Sequence, residues 1–459
     1  MRILLINPPW VRRKDNVWHS IASIMPPLGL AWIAAVLEQD GHDVSVLDAH
    51  ADRLDLERIG PLLDSMGDLD IVGITATTAL ITNALEIARI ARIKCPNARI
   101  VLGGVHPTVL PEEVLGEPAV DIVVRGEGEN TMLDLAAEKA LDQIDGISYR
   151  EGHTIRHAPD RPLIKDLDTL PFPAYHLLPM NKYHPAAGAS KRQPAISMLA
   201  TRGCPGRCTF CYRIFGPRLR VRSGLKVAKE VKYLQENFGI REICFYDDTF
   251  TVAKKQVYAF CQALEEMKIN LTWVCFSRID SVDEDLLCCM KQAGCHQILY
   301  GVEAASPEIL RNIGKRANPE LAEHKIQLTK KVGIDVRISL MLGNPGETEQ
   351  TMQETLEYAI RVDPDVAMFN ITTPFPGTDM FDWADKNGYL LTKNWEDYDL
   401  AHPVMNLPTV SAERVQEFYR KAYRKFYLRP RYIIKQVARL TSPSAIADAC
   451  RGLKTVLRI

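Results

Sequence analysis

The chain contains the stretch Thr201-Arg-Gly-Cys-Pro-Gly-Arg-Cys-Thr-Phe-Cys-Tyr212, which directly follows a short apolar run. Its cysteines, Cys204, Cys208 and Cys211, have the spacing C-x-x-x-C-x-x-C. Thiolates bind soft metals and iron–sulfur clusters, and the two glycines let a short loop wrap around a metal centre. Three thiolates are one short of the four that a four-iron cluster can use. The stretch therefore predicts an iron–sulfur cluster with one iron open to another ligand.

Two other interpretations of these cysteines are less favoured. A structural zinc site would need a fourth Cys or His nearby, and none follows the stretch for several tens of residues. His184 precedes the stretch, but not at the spacing of a metal ligand. A disulfide is disfavoured because disulfides belong to oxidising compartments, and the first residues do not resemble a secretory signal. Zinc stays open as the weaker alternative.

Composition is that of a globular chain. The 459 residues, with 46% hydrophobic and 25% charged residues, predict two or three domains. A net charge of −1 gives no reason to expect nucleic acid as a partner. Eleven cysteines without a secretory signal favour a reducing compartment, the cytoplasm. No apolar run reaches the roughly 18 residues that a membrane span needs.

Residues 1–150 alternate strand and helix patterns. Strands are expected near residues 2–7, 43–48, 70–75, 99–102 and 120–124. The alternation predicts a doubly wound, Rossmann-like sheet, in which ligands bind beyond the carboxyl ends of the strands. Residues there that suit a large ligand are Pro9, Thr75, Thr77, Gly103, Gly104, His106, Gly126 and Glu127. An equally open interpretation is that they only form turns. No G-x-G-x-x-G loop follows the first strand, which disfavours a nicotinamide or flavin site.

A second alternation covers residues 194–380. Strands are expected at residues 196–200, 242–246, 272–276, 297–301, 335–342 and 365–371. Six strands are too few for the closed eight-stranded barrel and predict an open (β/α)6 barrel, a partial TIM barrel. The cysteine stretch follows the first of these strands. It therefore lies on the carboxyl-end face, where barrel enzymes carry out their chemistry.

Charged residues follow later strands on the same face. Asp247 and Asp248 follow the second strand and are the candidate catalytic residues, which bind substrate or relay a proton. The alternative for either carboxylate is that it caps the next helix. Arg278 follows the third strand, where it pairs with an anionic ligand or with Asp280. Glu303 ends the fourth strand, where its carboxylate can accept hydrogen bonds from hydroxyl or amino groups.

The remaining segments are a linker and a tail. Residues 151–193 read as a linker, because prolines break any long helix there. Residues 381–459 predict a helical carboxyl-terminal region, which is basic and aromatic from Ser411 onward. Such a tail can lie on an anionic membrane surface or cover an apolar substrate. We favour a helical lid packed on the barrel, with its basic face in solvent.

The cysteine spacing resembles that of the radical S-adenosylmethionine (SAM) enzymes. Three further segments, Gly301–Glu303, Leu342–Thr348 and Pro374–Thr378, follow successive strands and resemble segments of that family. The resemblance implies an open (β/α)6 barrel and a 4Fe–4S cluster whose open iron is chelated by SAM. It also implies SAM contacts, which we assign to Phe210, Arg278, Glu303, Arg337 and Gly343.

The amino-terminal unit resembles the cobalamin-binding domain that precedes many radical SAM domains. The resemblance rests on the opening Asn7-Pro8-Pro9 and on the loop Gly103–Pro107, and it implies that the strand ends hold the corrin ring and nucleotide tail. Methyltransferases of the methionine synthase type carry D-x-H-x-x-G after the first strand, whereas this chain has Pro8-Pro9-Trp10 there. We therefore expect cobalamin without a histidine on cobalt, and His106 in contact with the tail or with solvent.

The resemblance implies that SAM is cleaved to a 5′-deoxyadenosyl radical and that cobalamin carries a methyl group. The leading hypothesis is a cobalamin-dependent radical SAM methyltransferase that acts on a carbon of a small-molecule or lipid-like substrate. Implied partners are an electron donor such as flavodoxin or ferredoxin, no nucleic acid, and at most a peripheral membrane contact.

Other functions are weighed against this one. A cyclase or rearrangement enzyme, resembling the anaerobic magnesium-protoporphyrin ester cyclase, cannot be separated from the methyltransferase by sequence. A non-enzymatic cobalamin-binding regulator is less favoured, because the cysteine loop lacks a fourth zinc ligand. Methylthio transfer to tRNA is disfavoured because that family has three cysteines in its amino-terminal domain, and residues 1–150 contain only Cys95.

Overall fold

Two sheets of parallel strands, each enclosed by helices, organise the chain. The computed structural model describes residues 1–10, 23–186, 188–437, 452, 456 and 457. The strands of the first sheet are β1 Arg2–Asn7, β2 Asp43–Asp48, β3 Ile71–Thr75, β4 Arg99–Gly103, β5 Ile122–Val124, β6 Ile147–Glu151 and β7 Thr154–His157. Their order is β2-β1-β3-β4-β5-β6-β7, and β1 to β5 are parallel.

Helices cover both faces of this sheet. They are α1 Leu28–Gln39, α2 Leu56–Met66, α3 Ile81–Lys94, α4 Val105–Val109, α5 Pro111–Leu115 and α6 Glu129–Ala136. Alternate residues of β1 enter different cores: Leu4 and Ile6 pack on one face, and Ile3 and Leu5 on the other. A strand buried on both faces reads as a continuous apolar run. The doubly wound arrangement expected from the sequence is confirmed.

An antiparallel hairpin extends the first sheet beyond residue 150. Strands β6 and β7 pair with each other, and β6 pairs with β5 in antiparallel fashion. The domain boundary drawn from the sequence at residue 150 falls inside this hairpin. The hairpin has no helix between its strands, so the alternation used to place the boundary does not mark it.

The second sheet forms the predicted open barrel. Its strands are β8 Ala195–Met198, β11 Glu242–Phe245, β12 Thr272–Ser277, β13 Cys295–Glu303, β14 Asp335–Leu342 and β15 Val366–Ile371. They are all parallel, in the order β15-β14-β13-β12-β11-β8. Two short strands, β9 Thr201–Arg202 and β10 Arg220–Val221, pair as a separate antiparallel ribbon. This sheet order and the all-parallel pairing confirm the (β/α)6 architecture.

Seven helices connect or follow the barrel strands in the described part of the chain. They are α7 Gly224–Phe238, α8 Lys254–Glu266, α9 Glu284–Gln292, α10 Pro307–Asn312, α11 Pro319–Lys331, α12 Glu349–Val362 and α13 Asp379–Lys386. Several begin with side-chain caps that the sequence encodes locally. Ser223 accepts a hydrogen bond from Lys226 N, and Thr348 forms a reciprocal capping box with Thr351.

The tail helices cover the open edge of the barrel sheet. Helices α14 Ala412–Tyr427 and α15 Pro430–Val437 lie against β15, whose free side lacks a neighbouring strand. Three tyrosine hydroxyls donate to this edge: Tyr423 to Phe369 O at 3.0 Å, Tyr427 to Ala367 O at 2.8 Å, and Tyr432 to Asp365 O at 3.1 Å. The expected helical cover is confirmed for residues 412–437. Most of residues 438–459 lie outside the described residues. Within the described ranges, no helix has both the length and the apolar character needed to cross a bilayer.

The linker is tied to both sheets by buried tyrosines. Tyr175 donates to Glu230 of α7 at 2.7 Å, and Tyr183 donates to Asp48 at the end of β2 at 2.8 Å. Burial, with the adjacent carboxylate adding to it, raises the pKa of both phenols well above the usual value, so they act as neutral donors. These tyrosines therefore pack the linker between the two units.

A buried ion-pair network joins the two sheets. Arg202 of β9 contacts Glu127 at 2.7 Å and Glu129 at 2.6 Å, and Arg220 of β10 contacts Glu127 at 2.8 Å. The Arg202 guanidinium also lies over the Trp32 ring, 4.8 Å from its centroid. Burial acts to raise the pKa of Glu127, but hydrogen bonds from Arg220 and Arg202 outweigh it and lower the pKa. This contribution to stability is therefore present above the ordinary carboxyl pKa and is lost as pH falls through the lower folded value.

Replacing Arg202 with Met should destabilise the protein strongly, because two buried carboxylates lose their partner. Breaking a buried pair from one side costs roughly 3–5 kcal/mol. Urea unfolding followed by tryptophan fluorescence measures the change. Arg361→Met is the matched control, because its pair with Glu323 is largely exposed and should have little effect. Equal stability losses in the two variants would contradict the special role of Arg202.

Candidate active site

Residues 203–219 form the loop that carries the three cysteines, and the ribbon of β9 and β10 closes its base. Gly203 has φ +93°, and a Cβ there would lie 2.3 Å from Arg218 O, so only glycine fits. Farther along, Thr209 N donates to Ile313 O at 2.9 Å. The loop is therefore fixed to its own base and to the barrel.

Glycine at position 206 lets the loop backbone approach two of the sulfurs closely. A Cβ on Gly206 would lie 3.3 Å from Cys204 Sγ and 3.9 Å from Cys208 Sγ. The Gly206 N–H also donates to Cys204 Sγ at 3.4 Å, which favours a thiolate. Burial, with the Asp248 carboxylate and the other thiols adding to it, raises the pKa of Cys211 to about 11. The thiols therefore release protons when they bind iron. Three neighbouring thiols on one loop fit an iron–sulfur cluster.

The thiols of a cluster loop bind different irons, so they need not converge on one point. Among the residues that the structure describes, no three His, Cys, Asp or Glu side chains are arranged to hold a single metal ion. All ten cysteines in the described part of the chain are free thiols.

Asp247 is buried in this arrangement, and its assignment as a catalytic residue stays a prediction. Its carboxylate is 1% exposed and accepts hydrogen bonds from Ala200 N, at 2.9 Å, and from Thr201 N. Burial raises its pKa to about 7, against the lowering effect of these bonds. It holds the end of β8, from which the cysteine loop starts. The capping alternative is wrong, because α8 begins after Ala253 without a side-chain cap.

Asp248, by contrast, is exposed at the carboxyl end of β11. Partial desolvation raises its pKa, while a hydrogen bond from Gly203 N–H acts to lower it. The same carboxylate raises the pKa of Cys211, so Asp248 lies beside the cysteine loop. Of the two adjacent aspartates, Asp248 is the one that is exposed.

Glu303 and Lys315 form an ion pair beside the cysteine loop. Lys315 Nζ lies 3.0 Å from Glu303 Oε1, and Glu303 has the positive φ of +69°. A Cβ on Gly301 would lie 2.4 Å from Glu303 Oε1 and 3.0 Å from Lys315 Nζ. Glycine at position 301 therefore leaves the space that the pair occupies. Burial acts to lower the pKa of Lys315, but the charges of Glu303 and Cys208 outweigh it and raise it.

Other residues assigned to SAM differ in their surroundings. Arg278 pairs with Asp280 at 2.6 Å, which is one of its two expected partners, and it also lies near Cys204 and Cys208. Phe210 is partly buried against the barrel core. Gly343 is buried, and a Cβ there would lie 3.0 Å from Val415 of α14. These assignments to SAM stay predictions. The Cα of Gly343 faces helix α14 of the carboxyl-terminal region.

Arg337 extends into the barrel, away from the cysteine loop. It lies on β14, and its guanidinium meets Gln297 Oε1 at 3.4 Å and Met368 Sδ at 3.3 Å. Its assignment to SAM also stays a prediction, because its ionisable neighbours are Tyr246, Tyr427 and Cys244 rather than the loop cysteines.

The carboxyl ends of β3, β4 and β5 leave an open edge. Around Gly126, which has φ +75°, no heavy atom lies within 4 Å of the place that a Cβ would take. The Gly126 N–H is held by Thr108 Oγ1 at 3.1 Å. Gly103 and Gly104 are half-buried at the same edge, and Thr77 is exposed. Open backbone beside an exposed hydroxyl fits a large ligand such as cobalamin.

Pro9 and Thr75 flank this edge. Pro9 is buried, and its carbonyl accepts a hydrogen bond from Asn83 Nδ2 at 2.8 Å. Thr75 Oγ1 lies 3.0 Å from the place that a Cβ on Gly104 would take, and Ala76 O lies only 2.6 Å from it. Glycine at position 104 therefore lets two loops approach closely.

Two residues assigned to cobalamin have other partners. Glu127 is committed to Arg202, to Arg220 and to Ile164 N, so its carboxylate is not free for a cofactor. His106 was expected to contact the nucleotide tail of cobalamin or solvent. It is instead fully buried, with Nδ1 3.4 Å from Thr78 Oγ1. Both corrections have one cause, which is that each side chain pairs with residues distant in sequence.

The remaining contacts of His106 bring the carboxyl-terminal region to this unit. Its Nε2 lies 3.5 Å from Glu113 Oε1, and the same oxygen accepts the Trp395 indole N–H at 2.7 Å. The His106 and Trp395 rings meet edge to face, 5.4 Å apart. His106 thus fastens a loop after the barrel to the amino-terminal unit.

The carboxyl-end faces of the two sheets are turned toward each other. A Cβ on Gly377, in the turn after β15, would lie 2.5 Å from Val109 of α4 and 3.3 Å from Tyr212 Cδ2. Tyr212 follows the last loop cysteine, and its pKa is influenced by Arg125 at the end of β5. The cysteine loop and the open edge of the first sheet therefore lie on opposite sides of one interface.

Several important residues escaped the sequence reasoning. Arg202 stands inside the cysteine stretch, where a charged residue next to an apolar strand was an available signal. Lys315 lies in a loop, 12 residues beyond Glu303, and no periodic pattern marks it. Tyr212 adjoins Cys211 but carries no motif of its own.

Comparisons with known proteins agree with this geometry. Residues 16–136 match the B12 binding domain family, and residues 198–359 match the Radical SAM superfamily. An uncharacterized methyltransferase of Pyrococcus horikoshii is 38% identical over 444 residues, covering 95% of each chain. The anaerobic magnesium-protoporphyrin IX monomethyl ester cyclase of Rubrivivax gelatinosus is 30% identical over 457 residues, covering 94% of this chain and 78% of the cyclase.

A solved structure shares the fold. The radical S-adenosylmethionine methyltransferase TsrM from Kitasatospora setae, solved with cobalamin and a 4Fe–4S cluster bound, matches with a TM-score of 0.69 at 20% identity. The match covers 84% of this chain and 75% of TsrM. The two family matches confirm that the protein is an enzyme whose cofactors are a 4Fe–4S cluster, SAM and cobalamin. The chain belongs to the cobalamin-dependent radical SAM enzymes.

Proposed function

We propose that this enzyme transfers a methyl group to a carbon atom of a small-molecule substrate. The observation that carries the proposal is the interface of the two carboxyl-end faces, where Tyr212 of the cysteine loop approaches the cobalamin-binding unit. A relative named as an uncharacterized methyltransferase, which matches nearly the whole chain, supports the same reaction. The domain division is part of this proposal, with boundaries at residues 193 and 380 and the first boundary moved to residue 157, where the hairpin ends.

When bound, the cofactors supply radical cleavage of SAM and a transferable methyl group. The chain binds and orients these cofactors and excludes water from them. Cys204, Cys208 and Cys211 hold the cluster, and the buried Asp247 fixes the strand end from which their loop starts. Asp248 is the exposed carboxylate beside that loop and is the group available to orient substrate or accept a proton.

A cyclase is the second candidate, because a cyclase is among the relatives at 30% identity. The products of SAM separate the two reactions. With cluster and cobalamin reconstituted without oxygen, SAM and a strong reductant should yield both 5′-deoxyadenosine and S-adenosylhomocysteine. Mass spectrometry quantifies both. 5′-Deoxyadenosine without S-adenosylhomocysteine would contradict methyl transfer and favour the cyclase.

Replacing Cys208 with Ala should abolish the cluster and the cleavage of SAM but leave cobalamin bound, because the cobalamin face uses other residues. Iron content, the visible absorption of cobalamin and 5′-deoxyadenosine formation are the measurements. Cys288→Ala is the matched control, since this thiol of α9 lies outside the loop. Retained 5′-deoxyadenosine formation in the Cys208 variant would refute the assigned cluster site.

We infer that the electron donor is an acidic flavodoxin or ferredoxin. A cavity of about 610 Å³ opens beside the cysteine loop, and its basic lining residues are Arg207, Arg311, Lys315 and Arg316. Arg207 stands between two loop cysteines. The three arginines are exposed, and no acidic side chain among the described residues forms an ion pair with them. An acidic surface docked there approaches the cluster and gains charge complementarity. Free thiols and the need for such a donor suit the cytoplasm.

Reversing two of these charges, in Arg207→Glu with Arg316→Glu, should slow turnover with reduced flavodoxin by about tenfold or more, since like charges replace complementary ones. Turnover with dithionite, which needs no docking surface, should stay the same. Lys255→Glu on α8 serves as the control, because it is exposed and outside the cavity. Equal slowing with both reductants would mean that the variant damages the cluster site instead.

A further inference from the structure

The inner surface of the barrel is mostly uncharged near its middle. Side chains of a strand alternate between two faces, and Val336, Ile338 and Leu340 of β14 are fully buried toward the helices. Arg337 and Ser339 therefore face the lumen. Neighbouring strands contribute Gln297, Met368 and Asn370 from the same face, and Tyr246 stacks on Phe276, with ring centroids 4.7 Å apart.

Arg337 is a cation without an anion. Its guanidinium has five N–H donors, yet its contacts are the Gln297 amide oxygen at 3.4 Å and the Met368 sulfur at 3.3 Å, which is a weak acceptor. Its Nε is buried and has no hydrogen-bond partner. Desolvation lowers its pKa. Arg337 as a whole is half-buried, and a partly desolvated cation is stabilised by a strong acceptor, which the described part of the scaffold does not provide.

The acidic groups on the lumen side of the barrel floor do not meet this need. Glu242 accepts from Lys191 N and Arg192 N, at 2.9 Å and 2.8 Å, and from His296 at 2.8 Å. Asp335 lies 3.6 Å from Lys191 Nζ. Within the described residues, no carboxylate forms an ion pair with Arg337.

We propose that Arg337 and Gln297 form a subsite in the barrel lumen that binds an oxyanion, either a carboxylate or a phosphate-type group. The inference rests on the proposed function and narrows its substrate class. The substrate is a small molecule with an oxyanion at one end and an apolar body, which packs against the stacked Tyr246 and Phe276 rings. An arginine fork matches the two oxygens of such a group.

Two molecules at this site carry an oxyanion: the substrate, and SAM through its carboxylate. The surroundings of the cations favour the substrate. Loop cysteines raise the pKa of both Arg278 and Lys315, which therefore lie beside the cysteine loop, where SAM would approach the cluster. The groups that act on the pKa of Arg337 are instead Tyr246, Tyr427 and Cys244, which lie within and beside the barrel wall.

The test uses the full chain with cluster and cobalamin reconstituted without oxygen, and inorganic phosphate as the probe. Thermal unfolding is compared in phosphate and in chloride at matched ionic strength. Phosphate should raise the melting temperature of the unaltered chain, and Arg337→Met should lose at least half of that increase. Arg337→Lys, which keeps the charge, should retain part of it. Comparison between variants removes the general stabilising effect of phosphate.

Two further measurements separate this subsite from other roles. The dissociation constant of SAM, measured by calorimetry, should change less than twofold in Arg337→Met. Without phosphate, Arg337→Met should be at least as stable as the unaltered chain, whereas Arg222→Met should be less stable, because Arg222 pairs with buried Glu230.

Each contrary result has a definite meaning. An equal phosphate effect in all variants would exclude an oxyanion subsite. Loss of stability in Arg337→Met, similar to that in Arg222→Met, would make Arg337 part of the scaffold. A tenfold weaker affinity for SAM would assign the subsite to the SAM carboxylate and overturn the substrate assignment. None of these measurements depends on turnover, so failure of the proposed methyl transfer would appear separately, in the products of SAM.

Discussion

The buried ion pairs of Arg202 with Glu127 and Glu129 are the constraint on which the active-site geometry depends. Arg202 immediately precedes the cysteine loop, Glu129 is the first residue of the helix that follows β5, and Glu127 lies two residues before it. The pairs therefore connect the cluster loop directly to the cobalamin-binding unit. Desolvated charges tolerate little misplacement, because each must keep its partner. A radical enzyme with two cofactor sites needs this fixed relation, since transfer between sites requires reacting groups held in register.

The open barrel solves a different problem at its edge. An open six-stranded sheet leaves one side of the β15 backbone without a neighbouring strand, and tail tyrosines donate hydrogen bonds to that edge. Their rings also pack on one another and on Phe369. The tail thus closes one side of the barrel without adding a strand. The lumen behind it keeps Arg337, whose charge the scaffold leaves unpaired.

Local patterns predicted the architecture well, because helices and strands follow from periodicity within short segments. The strand positions, the doubly wound sheet, the open barrel and the cluster loop needed no distant contact. The site residues were harder to predict. Asp247 and Asp248 are adjacent in sequence. Asp247 is buried and accepts hydrogen bonds from backbone N–H groups, whereas Asp248 is exposed. Residue type and strand-end position are the same for both, so sequence reasoning had no means to separate them.

The sequence by itself determined the cofactor chemistry and the order of the units. Cysteine spacing is a local property, and alternating strands and helices have few ways to pack. Only the tertiary structure decided which polar groups remain available. It paired Glu127 with arginines from the other sheet, buried His106 beneath Trp395, and left Arg337 without an anion. The physical reason is that a buried polar side chain must find a partner, and that partner is most often distant along the chain.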